Sequence, residues 1–293
     1  MTPVTDQQLC LLSVHAHPDD ESSKGPATVA RYAAEGVRTV LVCCTGGEEG
    51  DILNPAMDRP EIRADLPRVR AAELARAAEV IGFDEVVMLG YRDSGMADSP
   101  ANACAGCFAA ADLDEAVGRL VAEIRRARPQ VVITYHDDQR GYPHPDHLRV
   151  HDISVLAFDR AGDPEAHRGT GEPWRVSKLY YSLWSRARVQ AIHEKYLELG
   201  LESPFGDWWR DRPDHDHRIT TRVDVSGYTD VRREALLAHA TQIDPTSPFW
   251  FGLPTEVARE LHPVDEYVLA RSLVGTVTPE DDLFAGLRTG AVR

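Results

Sequence analysis

No stretch of this 293-residue chain approaches the roughly 18 consecutive apolar residues of a membrane span, and its first residues lack the basic-then-apolar plan of a signal peptide. Neither a membrane-spanning segment nor a membrane partner is expected. Positive charge is also in short supply: 32 Lys and Arg face 47 Asp and Glu, for a formal net charge of −15. Nucleic acids and anionic membrane surfaces demand clustered cations, so the balance speaks against both. The five cysteines, Cys10, Cys43, Cys44, Cys104 and Cys107, are odd in number and scattered. They indicate no disulfide framework, and a reducing cytoplasm fits best. No G-x-S-x-G elbow or phosphate-cradling loop occurs, which counts against serine hydrolases and nucleotide enzymes. Lysine itself is rare, with only Lys24, Lys178 and Lys195.

What is present is a rhythm of short apolar runs and amphipathic stretches. The run at 9–14 predicts a buried strand, and alanines at 27, 30, 33 and 34 predict a helix over 22–35 that stops near Gly36. Residues 37–44 form the next expected strand, 65–81 a helix, and 85–89 a third strand. Leu113, Ala116, Val117, Leu120, Val121 and Ile124 mark an amphipathic helix, and 131–135 a fourth strand followed by a helix to about Phe158. Four such alternations predict an α/β fold: a Rossmann-like, mostly parallel sheet with helices on both faces. Past Pro164 the rhythm changes to strand-like 178–184, a helix around 186–199, strand-like 218–225 and a helix near 229–242. The expected division is a catalytic portion, residues 1–163, and a smaller C-terminal α+β capping portion, residues 164–293, completing the substrate cleft.

Polar, glycine-bearing segments follow each of the four strands: HPDD, TGGEEG, GYRDSGM and GYPHPDH. In an open parallel sheet ligands bind outside the carboxyl ends of the strands, so these distant segments converge on one crevice. His17 and Asp20, three apart across a proline turn, and His147 after the last strand supply two imidazoles and a carboxylate. With one position left to water, that is the pattern of a catalytic zinc site, and Fe(II) shares the preference. Asp19 is then the candidate general base, His144 and Tyr142 candidate donors to an oxyanion, and Asp146 a residue that orients an imidazole.

Plainer readings stand beside these. Asp19 and Asp20 also suit a helix N-terminus, and Pro145 suits a first helical turn. Two His/Asp clusters at the same sheet edge outweigh those readings together. His151, His15 and His239 are expected to pack rather than ligate, and the PDHDH stretch at 213–217 to form a solvated loop, with a place at the cleft edge as the alternative.

HAHPDDES and GYPHPDH together resemble the LmbE-like or PIG-L-like zinc-dependent N-deacetylases. The likeness runs over nearly the whole chain, through TGGEEGDILNPAM, GYRDSGM, GEPWRVSKLYY, AHATQID and DLFAG, and departs at 97–114 and 244–262. ESSKG, ILNPAM and the distal half are similar to the branch that hydrolyses mycothiol S-conjugates. The resemblance implies zinc on His17, Asp20 and His147, with Asp19 as base and His144, helped by Tyr142, stabilising the tetrahedral intermediate. It also implies that Arg70 and Asp93, with Met96 nearby, grip a glucosaminyl-inositol unit. Lys24 stands where the amidase branch carries lysine and the deacetylases do not, which points to a larger, thiol-conjugated acyl group. The implied partner is a small pseudo-disaccharide thiol conjugate, cleaved to glucosaminyl-inositol and an N-acetylcysteine S-conjugate for detoxification or in a natural-product pathway. Deacetylation of N-acetylglucosaminyl-inositol or another amino sugar is the alternative, and metal or sugar binding without turnover a third reading. The native metal, and whether the chain forms a homo-oligomer, stay open.

Overall fold

The computed structural model describes residues 8–206, 209 and 211–288. The outer limits of the two expected portions, residues 1 and 293, lie outside them. In chain order the strands are β1 (Cys10–His15), β2 (Arg38–Thr45), β3 (Glu85–Tyr91), β4 (Val131–Tyr135), β5 (Lys178–Leu183), β6 (Thr221–Asp224) and β7 (Val264–Ser272). The helices are α1 (Asp20–Ser23), α2 (Pro26–Ala34), α3 (Pro60–Arg63), α4 (Leu66–Ile81), α5 (Leu113–Ala127), α6 (Pro145–Arg160), α7 (Arg186–Glu198), α8 (Thr229–Ala238), α9 (Pro248–Phe251) and α10 (Thr255–Leu261).

All seven strands join one sheet in the order β3-β2-β1-β4-β5-β7-β6. The first five are mutually parallel, while β7 runs antiparallel to both β5 and β6. Every side chain of β1 is buried. Leu12 and Val14 join one core with Leu120, Ile124 and Ile153 of α5 and α6, while Leu11 points the other way to Ala27, Tyr32 and Ala77 of α2 and α4. Burial on both faces explains a continuous apolar run where a half-exposed strand would alternate. The chain leaves β1 toward β2 and β3, then returns to lay β4 on the opposite side of β1. The order therefore reverses between β1 and β4, which opens a crevice beyond their carboxyl ends.

The expected Rossmann-like sheet is present, with local differences. The helix expected over 22–35 breaks at Gly25, whose φ is +83°. A Cβ there would meet the Tyr267 hydroxyl at 2.6 Å, so the position needs glycine for both conformation and space. Strand β7 was not anticipated; its VDEYVLARS sequence mixes charge with apolar residues because β6 and helices α7 and α8 supply partners for Asp265 and Glu266. The portion after residue 163 thus contributes β5, β7 and β6 to the same sheet. Among the described residues no helix is long and apolar enough to cross a membrane.

Candidate functional site

The turn after β1 carries the first half of the site. His17 and Asp20 are 8% and 5% exposed, and the Asp20 carboxylate turns back to accept the His17 backbone N–H at 3.0 Å. The second half comes from the start of α6, where His144 is the N-cap residue and accepts the Asp146 N–H on its Nδ1 at 3.2 Å. Asp20 Oδ2 lies 3.3 Å from His17 Nδ1 and 3.3 Å from His147 Nε2, so one carboxylate oxygen faces two imidazoles from opposite sides of the crevice. The Tyr135 hydroxyl, at the end of β4, donates to the same oxygen at 2.6 Å, and Lys24 pairs with Oδ1. The His17, His144 and His147 ring nitrogens also fall within 4.8 Å of one another.

On its far side His17 Nε2 faces Asp146 Oδ2 at 3.2 Å and Asp93 Oδ1 at 3.4 Å. Those two carboxylates accept from Ser94 N and Oγ and from Gly95 and Glu49 N–H groups, which spends their lone pairs on the loops after β3 and β2. Three carboxylates within 3.4 Å of one imidazole leave a local excess of negative charge that calls for a cation. Although burial pulls the other way, hydrogen bonds to Asp146, Asp20 and Asp93 push the His17 imidazole well above its ordinary range. Against the upward push of burial, Lys24 and His147 keep Asp20 ionised well below the usual carboxylate range. Burial lowers His147 to about 4, so its imidazole is neutral and its lone pair available. A buried site with nitrogen and oxygen donors, an ionised carboxylate and a deficit of positive charge fits a divalent ion of the Zn(II) or Fe(II) type.

Asp19 sits beside Asp20 but points elsewhere. Its φ is +112°, a conformation uncommon outside glycine, and Glu21 Oε2 holds it by accepting the Asp19 N–H at 2.9 Å. The Arg70 guanidinium, 2% exposed, donates to Asp19 Oδ2 at 3.1 Å and to the Pro18 and Gly47 carbonyls. Burial raises the Asp19 carboxyl above its ordinary value, with Arg70 opposing. Arg70 therefore binds the two loops together as well as lining the cleft. Asp93 lines the cleft and also reaches His17. Tyr142 is 49% exposed at the rim, its ring 5.4 Å from that of His147, and Met96 is 43% exposed at the same cleft.

The cleft over these residues has a volume of about 740 Å³, room for more than a single sugar. Its outer wall is aromatic and comes from the chain after residue 163: Trp184, Trp209, Phe249 and Trp250. Arg188 and Arg232 line it too. None of these six is signalled by a local motif, since they come from separate segments, the end of β5, the chain after α7, and helices α7, α8 and α9, that meet only in the folded chain. His215 of the PDHDH stretch does edge the cleft, its ring 4.4 Å from that of His136. His151 and His15 pack instead, against the Tyr135 carbonyl at 3.1 Å and the Ser13 hydroxyl at 2.7 Å. His239 pairs with Glu21 at 2.6 Å beneath the Asp19 turn, a link across 218 positions that spacing does not reveal. All five cysteines are free.

Residues 12–158 match the family described as GlcNAc-PI de-N-acetylase, PIG-L. The chain is 46% identical over 299 residues to the mycothiol S-conjugate amidase of Streptomyces coelicolor, covering 98% of this chain and 100% of that one. It is 41% identical over 290 residues to the 1D-myo-inositol 2-acetamido-2-deoxy-alpha-D-glucopyranoside deacetylase of Streptomyces avermitilis, covering 94% and 97%. Among solved structures, a conserved protein from Thermus thermophilus superposes with a TM-score of 0.59 at 25% identity, over 92% of this chain and 98% of its own.

Proposed function

The chain belongs to the GlcNAc-PI de-N-acetylase (PIG-L) family, and from that premise we propose that it is a metal-dependent hydrolase of the amide bond in mycothiol S-conjugates. The observation that carries the reading is the shared Asp20 oxygen between His17 Nδ1 and His147 Nε2, with Asp19 beside it, in a chain similar along its whole length to an amidase of that name. In this reading His17, Asp20 and His147 hold the ion, zinc or alternatively Fe(II), and Asp146 orients His17. When bound, such an ion acidifies water and polarises a carbonyl.

The chain's own groups do the rest. Asp19, raised by burial and steered by Arg70, accepts the proton of the attacking water. His144 and Tyr142 donate hydrogen bonds to the oxyanion of the tetrahedral intermediate. The amide C–N bond then breaks, and the proton delivered to the departing nitrogen releases glucosaminyl-inositol and an N-acetylcysteine S-conjugate. Arg70, Asp93 and Met96 border the sugar end, and Lys24 the acyl end. Residues 1–163 act as the catalytic portion and 164–293 complete the cleft. The free cysteines favour a cytoplasmic setting.

Deacetylation of N-acetylglucosaminyl-inositol is the second reading, favoured by the 41% identity with a deacetylase over 94% of the chain. The test offers metal-loaded enzyme a mycothiol S-conjugate and the N-acetyl sugar side by side. A higher kcat/KM on the conjugate is expected. An equal or higher value on the acetyl sugar overturns the amidase reading, and hydrolysis of neither would leave binding without turnover.

A further inference from the structure

The aromatic wall and the two arginines at its base have no part in the amide chemistry described above. Trp184 follows β5 and its indole N–H donates to the Ser23 carbonyl at 3.2 Å, which ties the wall directly to the turn bearing Asp19 and Asp20. Phe249 stacks on Trp184 with centroids 6.1 Å apart and planes 8° from parallel, and Trp250 meets both edge-on at 5.9 and 4.7 Å. Behind them lies a small apolar cluster of Val189, Tyr196, Phe205 and Leu253. The rings thus hold one another in place, and all three border the cleft.

The base of this wall is cationic. Arg188 of α7 and Arg232 of α8 converge on one oxygen of Asp265 in β7, at 3.6 and 2.8 Å. The other Asp265 oxygen is already taken by Thr28 N and Oγ1, at 3.2 and 3.0 Å. Glu266 also borders the cleft but is paired with Arg222 at 3.2 Å and His262 at 3.3 Å. Two guanidinium groups therefore share one carboxylate. Arg188 is 6% exposed, and both Arg188 Nε and Arg232 Nε are buried without a hydrogen-bond partner. Both guanidinium carbons lie over the Trp184 ring, at 4.6 and 5.8 Å from its centroid. A buried donor left unmade is costly, and the two arginine side chains that carry these donors line the open cleft.

We propose that this end of the cleft is a subsite for an aromatic S-substituent that carries an anionic group, with Trp184, Phe249 and Trp250 taking the ring and Arg188 with Arg232 taking a carboxylate. The inference rests on the amidase reading and names the class of conjugate that this chain handles best. Its surplus positive charge supplies what a merely greasy wall would not, a preference among aromatic substituents of equal size.

The test compares four substrates on metal-loaded enzyme: mycothiol carrying S-methyl, S-benzyl, S-(4-carbamoylbenzyl) and S-(4-carboxybenzyl) groups. The carboxybenzyl conjugate should exceed its neutral carbamoyl isostere in kcat/KM by about tenfold, the scale of one charge-assisted hydrogen bond in a partly wetted site. Arg188→Gln and, separately, Arg232→Gln should bring that ratio toward one, and Trp250→Ala should lower the benzyl-to-methyl ratio. Turnover of the S-methyl conjugate reports that each variant is folded. A wild-type carboxyl-to-carbamoyl ratio of one or below overturns the subsite, as does a ratio that survives both arginine changes. Failure of the amidase reading looks different, since all four conjugates would then be poor while the N-acetyl sugar is cleaved.

Discussion

Replacing His239 by alanine probes the support beneath the proposed general base. Glu21 and His239 are 1% and 0% exposed and meet at 2.6 Å. Removing the imidazole leaves Glu21 with Ser22 Oγ and the Asp19 N–H as partners but no counter-charge. An uncompensated buried charge costs about 3–5 kcal/mol. With an unfolding entropy near 2.1 cal/mol/K per residue, a chain of 293 residues should lose about 5–8 °C in Tm. The functional effect follows from the same geometry. Asp19 is held at φ +112° by its N–H bond to Glu21, a conformation that costs about 1–3 kcal/mol and relaxes once the clamp loosens. A displacement of about 1 Å at the base can lower kcat by about a hundredfold. Thermal and urea unfolding of metal-loaded protein, with kcat on a mycothiol conjugate, reads both effects. Glu21→Gln, which keeps an acceptor for the Asp19 N–H without the charge, should lose less of each. A His239→Ala protein within about 1 °C of wild type, or one destabilised as calculated but with full kcat, would refute the clamp.

Asp19→Ala should keep its metal and lose most turnover, whereas His17→Ala should lose the metal; near-wild-type rates for Asp19→Ala, with metal content measured by emission spectrometry, would remove it as the base. Asp146→Asn weakens the partner of His17 Nε2 and should reduce metal affinity by about 10–100-fold in a competition titration, and unchanged affinity would show that Asp146 does not orient the ligand. Burial lowers His136 to about 4, so the unfolded chain takes up its proton first. That contribution is absent above about pH 6.5 and costs stability increasingly as pH falls toward about 4. His136→Gln should accordingly narrow the gap between urea midpoints measured at about pH 7.5 and about pH 5, and an identical gap in both proteins would assign the acid sensitivity elsewhere. Lys178→Met strands Glu280, its partner at 2.6 Å, in the buried sheet, and should cost about 3–5 kcal/mol in the urea midpoint; a cost below about 1 kcal/mol would contradict the pairing.

The first half of the chain was legible because its signals are local. Runs such as 9–14 and 131–135 are continuous and apolar since both sheet faces are covered, and the His/Asp segments follow the strand ends where a parallel sheet collects its ligand-binding loops. The break at Gly25 was not legible, because it depends on the Tyr267 hydroxyl from the far end of the chain. Asp93 is similar: after a strand it reads as a surface charge, yet folding turns it onto His17.

The sequence by itself determined the strand–helix alternation, the convergence of HPDD and GYPHPDH, and the nitrogen and oxygen chemistry offered there, since each is carried by residue type and short spacing. Only the tertiary structure decided how β7 enters between β5 and β6, that His239 supports the Asp19 turn, and that Trp184, Arg188 and Arg232 face the same cleft. The physical reason is that these contacts join segments up to 218 positions apart, whose meeting depends on the packing of whole helices and leaves no pattern in the neighbouring residues.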